Sequence, residues 1–231
     1  MDGIKLEITQ GEGSMTTKKR ADSGFTLIEI LVALALSGIV LTAIYTAYQS
    51  QHKTYIAQES VAKMQQNLRA AMYLMIQEIR MAGYDPRGTA NAGIETADPG
   101  ELKFTKDLDG DGTIDSGNSE DITYSLYTTD DIQKLGRKNP TQNKAVALNI
   151  DALDFVYLDE DNSETASASE IRSVQITIVA RTGRSDPDYT NPFEYHNLLG
   201  EKIYPDYAGP ANDGFHRRAL STQVKCRNLG L

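Results

Sequence analysis

Residues 25–48 read FTLIEILVALALSGIVLTAIYTAY, and Glu29 is the only charged residue among them. A helix of about 20 apolar residues is long enough to cross a bilayer. A carboxylate near the start of such a span is costly in lipid unless a positive group compensates it. Lys18, Lys19 and Arg20 lie just upstream. This positive flank predicts a cytoplasmic N-terminus, with the bulk of the chain on the outer side of the membrane.

The junction between the basic leader and the apolar run reads Ser23-Gly24-Phe25-Thr26-Leu27-Ile28-Glu29. It resembles the prepilin signature of the type IV pilin and type II secretion pseudopilin superfamily. The resemblance implies cleavage between Gly24 and Phe25 by a prepilin peptidase/methyltransferase, which then methylates the amino group of Phe25. It also implies that Glu29 neutralises the amino group of a neighbouring subunit during filament assembly.

The same resemblance implies where the protein resides and what it meets. The expected partners are other pilins, through the N-terminal helix, together with the inner-membrane assembly platform and membrane lipid. The expected location is the bacterial inner membrane, with a single pass and a periplasmic head, followed by the pilus or pseudopilus filament.

Two simpler interpretations of the N-terminus fit less well. An ordinary secretory signal could end at Ala33-Leu34-Ala35, but a charge would then lie inside its apolar core and the helical pattern would continue past the cut. A plain membrane anchor explains the hydropathy and leaves the combination of glycine, phenylalanine and glutamate unexplained.

Residues 1–24 form the predicted leader peptide, and its first part is unlike the rest. Residues 1–14 read MDGIKLEITQGEGS and are acidic, whereas translation from Met15 would give the short leader MTTKKRADSG. The sequence leaves both starts open.

Composition limits the classes of function. The formal net charge is −9 and the pI is near 4.9, which argues against specific nucleic-acid binding, because that binding needs clustered Lys and Arg facing phosphates. Cys226 is the only cysteine, so an intrachain disulfide is excluded, and we expect a small buried side chain at this position. Many major pilins close a C-terminal loop with a disulfide, which makes a major pilin a poorer match.

The helix is predicted to continue beyond the membrane as an amphipathic segment over residues 49–83. Apolar residues recur there every three or four positions, while Lys63, Gln66, Arg69 and Glu78 fall largely elsewhere. The predicted packed face consists of Ala57, Val61, Met64, Leu68, Met72, Met75, Ile79 and Ala82. Gly83 and Pro86 supply a stop signal, so we predict one helix of about 58 residues, roughly 87 Å long.

Residues 84–231 switch to short alternating segments typical of an antiparallel sheet. The predicted fold class is therefore α+β: a long N-terminal helix, spanning the membrane over 25–48, that packs on a β-rich globular head. The predicted strands are 101–106, 121–127, 131–136, 145–149, 152–159, 170–181 and 219–226. Residues 184–214 are rich in proline and glycine and are predicted to form a long irregular loop.

A second resemblance covers most of the ordered chain. The segments MQQNLRAAMYLMIQEIRMAGYDP, IRSVQITIVART and RRALSTQVKCRNLG are similar to minor pilins of the PilW type and to the J-class pseudopilins of type II secretion. Their signal is mainly alternating hydrophobicity followed by an Arg-Asn tail.

The acidic loop over residues 107–121 carries a separate pattern. Its carboxylates alternate as in an EF-hand loop, with glycine following them. The candidate calcium ligands are Asp107, Asp109, Asp111, Thr113, Asp115 and Asn118, with Glu120 or Asp121 closing the site. Strand-like flanks leave open an acidic hairpin loop in which Asp-Gly supplies only turn geometry.

Catalysis has no support in the sequence. His52, His196 and His216 lie in unrelated contexts, and the chain contains no nucleophile-elbow, phosphate-loop or dinucleotide motif. The sequence therefore predicts a minor pilin. The alternatives are a J-class pseudopilin of type II secretion and a membrane-anchored calcium-dependent adhesin or receptor domain that does not polymerise.

Overall fold

The computed structural model describes residues 24–115, 117 and 119–230. The chain divides into two compact units, of which the first ends at Gln51 and the second begins at His52. One helix, α1, runs Leu27–Ile79 and contributes to both units. The basic residues of the leader lie outside the described residues.

Within the first unit the structure describes residues 24–26 and the start of α1, and all of these residues are exposed. This part of α1 is long and apolar enough to cross a membrane. Two of its hydroxyl groups bond to the helix itself: Thr42 Oγ1 donates to the carbonyl of Gly38 at 2.8 Å and Thr46 Oγ1 to that of Ala43 at 2.9 Å. Polar groups satisfied within one helix suit a hydrocarbon environment.

The second unit is the head, in which the remainder of α1 accompanies ten strands. They are Ile94–Asp98 (β1), Glu101–Thr105 (β2), Asp121–Thr129 (β3), Ile132–Asn139 (β4), Gln142–Leu148 (β5), Ile150–Leu158 (β6), Ser173–Arg181 (β7), Tyr195–His196 (β8), Lys202–Tyr204 (β9) and Arg217–Lys225 (β10). Strands β1 to β5 form an antiparallel sheet in chain order. A second antiparallel sheet places β7 between β6 and β10, and β8 pairs with β9 in a small hairpin.

The core of the head contains the predicted face of α1. Met64, Leu68, Met72, Met75 and Ile79 are all buried in one cluster with residues of both larger sheets. The strand alternation is confirmed on β3, where Ile122 and Tyr124 are fully buried. It is wrong for β7, whose Thr177 and Val179 are also buried, because this strand lies in the middle of its sheet. Helix periodicity and strand periodicity thus direct their apolar residues to the same interior.

Glu78 is more buried than its spacing predicts. The spacing places it away from the packed face, yet its side chain is only 14% exposed. Arg137 on β4 donates to it from Nε and Nη2, each at 2.8 Å, and the hydroxyl of the buried Tyr124 donates to the same carboxylate. A buried carboxylate needs such partners, and this one ties α1 to the larger sheet.

Helix α1 is shorter than predicted at both ends. Helix α1 begins at Leu27 and ends at Ile79, after which residues 80–83 form a turn. Gly83 lies in the left-handed region with φ of 77°, and a Cβ there would come within 2.4 Å of the Leu229 side chain. Both constraints favour glycine at this position, where the chain leaves the turn that follows α1.

The head also contains strands that the sequence pattern did not predict. Strand β1 has the weakly apolar sequence IETAD and pairs with β2. The predicted loop over 184–214 contains the β8–β9 hairpin, so that part of the prediction is wrong. A hairpin with strands of two and three residues is too short to show a period.

Candidate functional site

The N-terminal candidate site is built by the first turn of α1. Thr26 precedes the helix, and its amide and hydroxyl both donate to Glu29 Oε2, at 3.0 and 2.9 Å. The amide of Glu29 returns a bond to Thr26 Oγ1 at 3.3 Å. This reciprocal arrangement is a capping box, which satisfies backbone N–H groups that a helix start leaves open.

The capping box fixes the Glu29 carboxylate close to the predicted cleavage point. Gly24 and Phe25 precede the helix, and the Phe25 side chain is 85% exposed. Glu29 itself is exposed on the side of an apolar helix. A carboxylate presented in this way is available to a positive group on another chain, where a low dielectric strengthens the attraction.

The second candidate site is the acidic loop between β2 and β3. Asp107 is fully buried and accepts hydrogen bonds from the amides of Gly110 at 2.7 Å and Gly112 at 2.9 Å. Glu120, also buried, accepts from the amides of Leu108 at 2.9 Å and Asp115 at 2.8 Å. These two carboxylates hold the loop in shape from its two ends.

The loop brings five of the predicted ligands together in two overlapping groups. Oxygens of Asp107, Asp109 and Glu120 lie within 4.8 Å of one another, and so do oxygens of Asp109, Asp111 and Asp115. The pKa of Asp115 is raised, mainly by desolvation and to a smaller extent by repulsion from the neighbouring carboxylates. A divalent cation would relieve this crowding.

The remaining predicted ligands are placed differently. Thr113 donates from its amide and hydroxyl to Asp111, each at 2.8 Å, and these bonds lower the pKa of that carboxyl. Asp121 pairs with Lys103 at 3.3 Å and belongs to neither group of three. Asn118 lies outside the described residues. Between the two residues named to close the site, Glu120 is therefore the one that joins the cluster.

The sequence did not predict the buried cation of Arg217. The Arg217 side chain is fully buried; its Nε lies 2.6 Å from Asp151 and its Nη1 2.5 Å from Asp213. Its Nη2 donates to the hydroxyl of Tyr204 at 3.0 Å. Arg217 thus fastens the segment before β10 to β6. The sequence shows only an Arg-Arg pair at the start of a strand, which gives no indication of burial.

His216, His196 and Cys226 have structural roles in the head. His216 lies 3.1 Å from Asp186 and stacks on Tyr189, whereas His196 belongs to β8. Cys226 is buried as expected, and burial raises its thiol pKa to about 12. A thiol with so high a pKa is a poor nucleophile at neutral pH.

Comparisons with known proteins found two family matches and one similar structure. Residues 19–45 match the prokaryotic N-terminal methylation motif, and residues 57–196 match the family described as prepilin peptidase-dependent protein B. A type IV-like pilin from Thermus thermophilus is similar in structure, with a TM-score of 0.43 and 14% sequence identity over 71% of this chain and 97% of that chain. No curated protein matches the sequence significantly.

Proposed function

The chain belongs to the prepilin peptidase-dependent protein B family, and from this membership we propose that it is a minor pilin of a type IV pilus. It is stored in the inner membrane with its N-terminus in the cytoplasm and its head in the periplasm. After processing, the assembly platform moves it into the filament, where it takes part in assembly or initiation.

One observation carries the proposal. The methylation motif coincides with a capped helix start that presents Phe25 and Glu29 at the edge of an exposed apolar helix. An apolar helix surface of this extent must be covered by lipid or by other helices. Membrane storage provides the first environment, and a bundle of pilin helices in the filament provides the second.

Processing is the direct test. Intact-mass measurement of the protein from its native membrane is expected to give a chain that begins at N-methyl-Phe25. Gly24→Val is expected to leave the leader attached, because the peptidase requires a small residue before the cut. Gly38→Ala, which alters an exposed helix glycine with open space around it, is the matched control and is expected to be processed. Retention of residues 18–24 in the presence of active peptidase would overturn the assignment.

The location of the processed chain separates the proposed function from its alternatives. Recovery in sheared pili supports a minor pilin, whereas recovery only in a secretion pseudopilus would identify a J-class pseudopilin. A processed protein that never leaves the membrane fraction would indicate an anchored adhesin or receptor domain.

We also propose that the acidic loop binds Ca²⁺ and thereby orders a surface of the head. The support is the EF-hand-like order of Asp107, Asp109 and Asp111 together with the two groups of converging carboxylate oxygens. Such a loop offers flexible oxygen ligands, which suit calcium better than the strict octahedron of magnesium. The competing interpretation is a hairpin loop that needs no ion.

A further inference from the structure

Two of the places where the head exposes large apolar side chains have opposite charge. The first is the segment 193–207, which contains the β8–β9 hairpin. Leu198 and Leu199 occupy its tip and are 50% and 42% exposed, and Phe193 and Tyr207 at its base are more than half exposed. Two adjacent leucines in solvent differ from the singly scattered apolar residues of an ordinary surface.

The hairpin tip is held rigidly. Asn197 is buried, and its Oδ1 accepts from the amides of Leu199 at 3.0 Å and Glu201 at 2.9 Å. Its Nδ2 donates to Asp154 on β6 at 3.1 Å and to Glu201 at 2.9 Å. The leucines are therefore presented on a turn anchored to the sheet, and little conformational entropy would be lost when they bind.

The second place is a groove of about 440 Å³ between α1 and the ends of β5 and β7. Its apolar wall includes Ile56 and Leu148, which are 40% and 44% exposed. Three basic residues and one acidic residue also line it: Lys63, Arg181, Arg184 and Glu59. Two of the basic residues are already paired, because Lys63 Nζ lies 2.8 Å from Glu59 and Arg181 Nε lies 3.4 Å from Asp151. Arg184 has no ion pair among the described residues.

The two surfaces carry opposite net charge. The hairpin segment carries three carboxylates, on Glu194, Glu201 and Asp206, against the single cation of Lys202. With Asp151 included, three cations of the groove face two carboxylates, which leaves one positive charge, at Arg184, on a chain whose net charge is −9. An acidic, leucine-tipped hairpin is repelled by an anionic lipid surface and attracted by an apolar groove with a basic rim.

We propose that the hairpin tip of one copy of this chain docks in the groove of a second copy. Both surfaces belong to the second unit and differ from each other, so the contact is head-to-tail, and such a contact extends into an open helical array when it does not close. This inference rests on the proposed function, because one hairpin buries too little area for a stable dimer alone. Subunits already gathered by their N-terminal helices would meet at high effective concentration.

Cysteine crosslinking of the full-length protein in its native cells tests the contact. Two copies are expressed together, one carrying Leu198→Cys and the other Leu148→Cys, and the cells are then oxidised. Cys226 is buried and stays silent. The expected result is a species of twice the mass that requires both variants. The matched control replaces Leu198→Cys by Leu108→Cys, an equally exposed leucine on the acidic loop.

Charge reversal provides a second test of the contact. Asp206→Lys on the hairpin copy or Arg184→Asp on the groove copy is expected to lower the crosslink yield roughly threefold, as loss of one exposed ion pair would. The two reversals together are expected to restore it. Restoration is a result that misfolding of either variant would not produce.

The outcomes separate this contact from the proposed function. No dimer, an equal yield with Leu108→Cys, a dimer from Leu198→Cys alone, or an adduct with a different protein would each overturn the docking of a second copy. If the protein is processed and present in filaments at the same time, the minor-pilin assignment still stands. A specific dimer formed by unprocessed chains would support the contact and overturn the assignment.

Discussion

Glu29 combines two roles at the level of a single residue, because its carboxylate caps its own helix and is proposed to meet the amino group of a neighbour. Glu29→Gln keeps a hydrogen-bonding side chain but removes the charge. We expect it to insert into the membrane and to be processed normally, yet to be depleted in filaments. Quantification of the variant in sheared pili measures this. Incorporation at the wild-type amount would contradict the role of the charge, and loss of insertion would indicate an effect on topology.

Gly83 permits a second prediction at the residue scale. Gly83 and Gly88 both have positive φ, of 77° and 69°, but only Gly83 has a side chain within reach of an added Cβ. Gly88→Ala is expected to cost about 1 to 2 kcal/mol of unfolding free energy from the backbone alone. Gly83→Ala is expected to cost about 1 kcal/mol more, because Leu229 must move. Denaturant unfolding of the two variants gives the difference, and equal losses would show that the C-terminal contact adjusts freely.

The acidic loop yields a prediction at the level of an element. Calcium at 100 times its dissociation constant would stabilise the folded head by about 2.7 kcal/mol, so Tm of the full-length protein in detergent is expected to be higher in calcium than in chelator. Asp109→Ala combined with Asp111→Ala is expected to abolish the difference. Asp159→Ala with Asp161→Ala, in an acidic turn that lacks the motif, is the control and is expected to retain it. Identical melting curves and no heat in titration calorimetry would leave a plain hairpin loop.

The segment before β10 has a predictable pH dependence. The hydrogen bonds from Arg217 lower the pKa of Asp213, so the folded chain binds fewer protons than the unfolded chain near the ordinary carboxyl pKa of about 4. The stabilisation is therefore present above that pH and is lost as the pH falls through the folded pKa. Asp213→Asn is expected to lower Tm more at pH 7 than at pH 3. Thermal melts at both values measure this, and an equal loss at both would mean that the charge of Asp213 is irrelevant.

At the scale of the whole molecule, the head is expected to fold without the first unit. Its core includes α1 only from Met64 onward, apart from the partly buried Val61, and all of these residues belong to the second unit. A chain of residues 52–231 is expected to unfold cooperatively at the same Tm as the full-length protein in detergent. A Tm lowered by more than a few degrees would show that the apolar half of α1 supports the head.

Much of this architecture could be predicted because it depends on repeated apolar positions. The membrane-spanning segment, the Met-rich face of α1 and the alternation in β3 each follow from a period of 3.6 or 2. Glu78 and Arg217 could not be placed, because a charged residue in a sequence does not reveal the partner that permits its burial. Glu120 was one of two candidates for the acidic cluster, and its convergence with Asp107 and Asp109, together with the pairing of Asp121 with Lys103, separates them.

Labelling of the Cys226 thiol can measure distortion at the C-terminal end of the head. The thiol is buried beside β10, an edge strand paired only with β7, and its raised pKa slows alkylation further. A membrane-impermeant maleimide added to intact cells would therefore modify only those heads whose last strand has detached. If the chain enters filaments as proposed, the labelled fraction, read from a gel, gives the proportion of distorted subunits in a stretched filament, and the measurement requires no engineered tag.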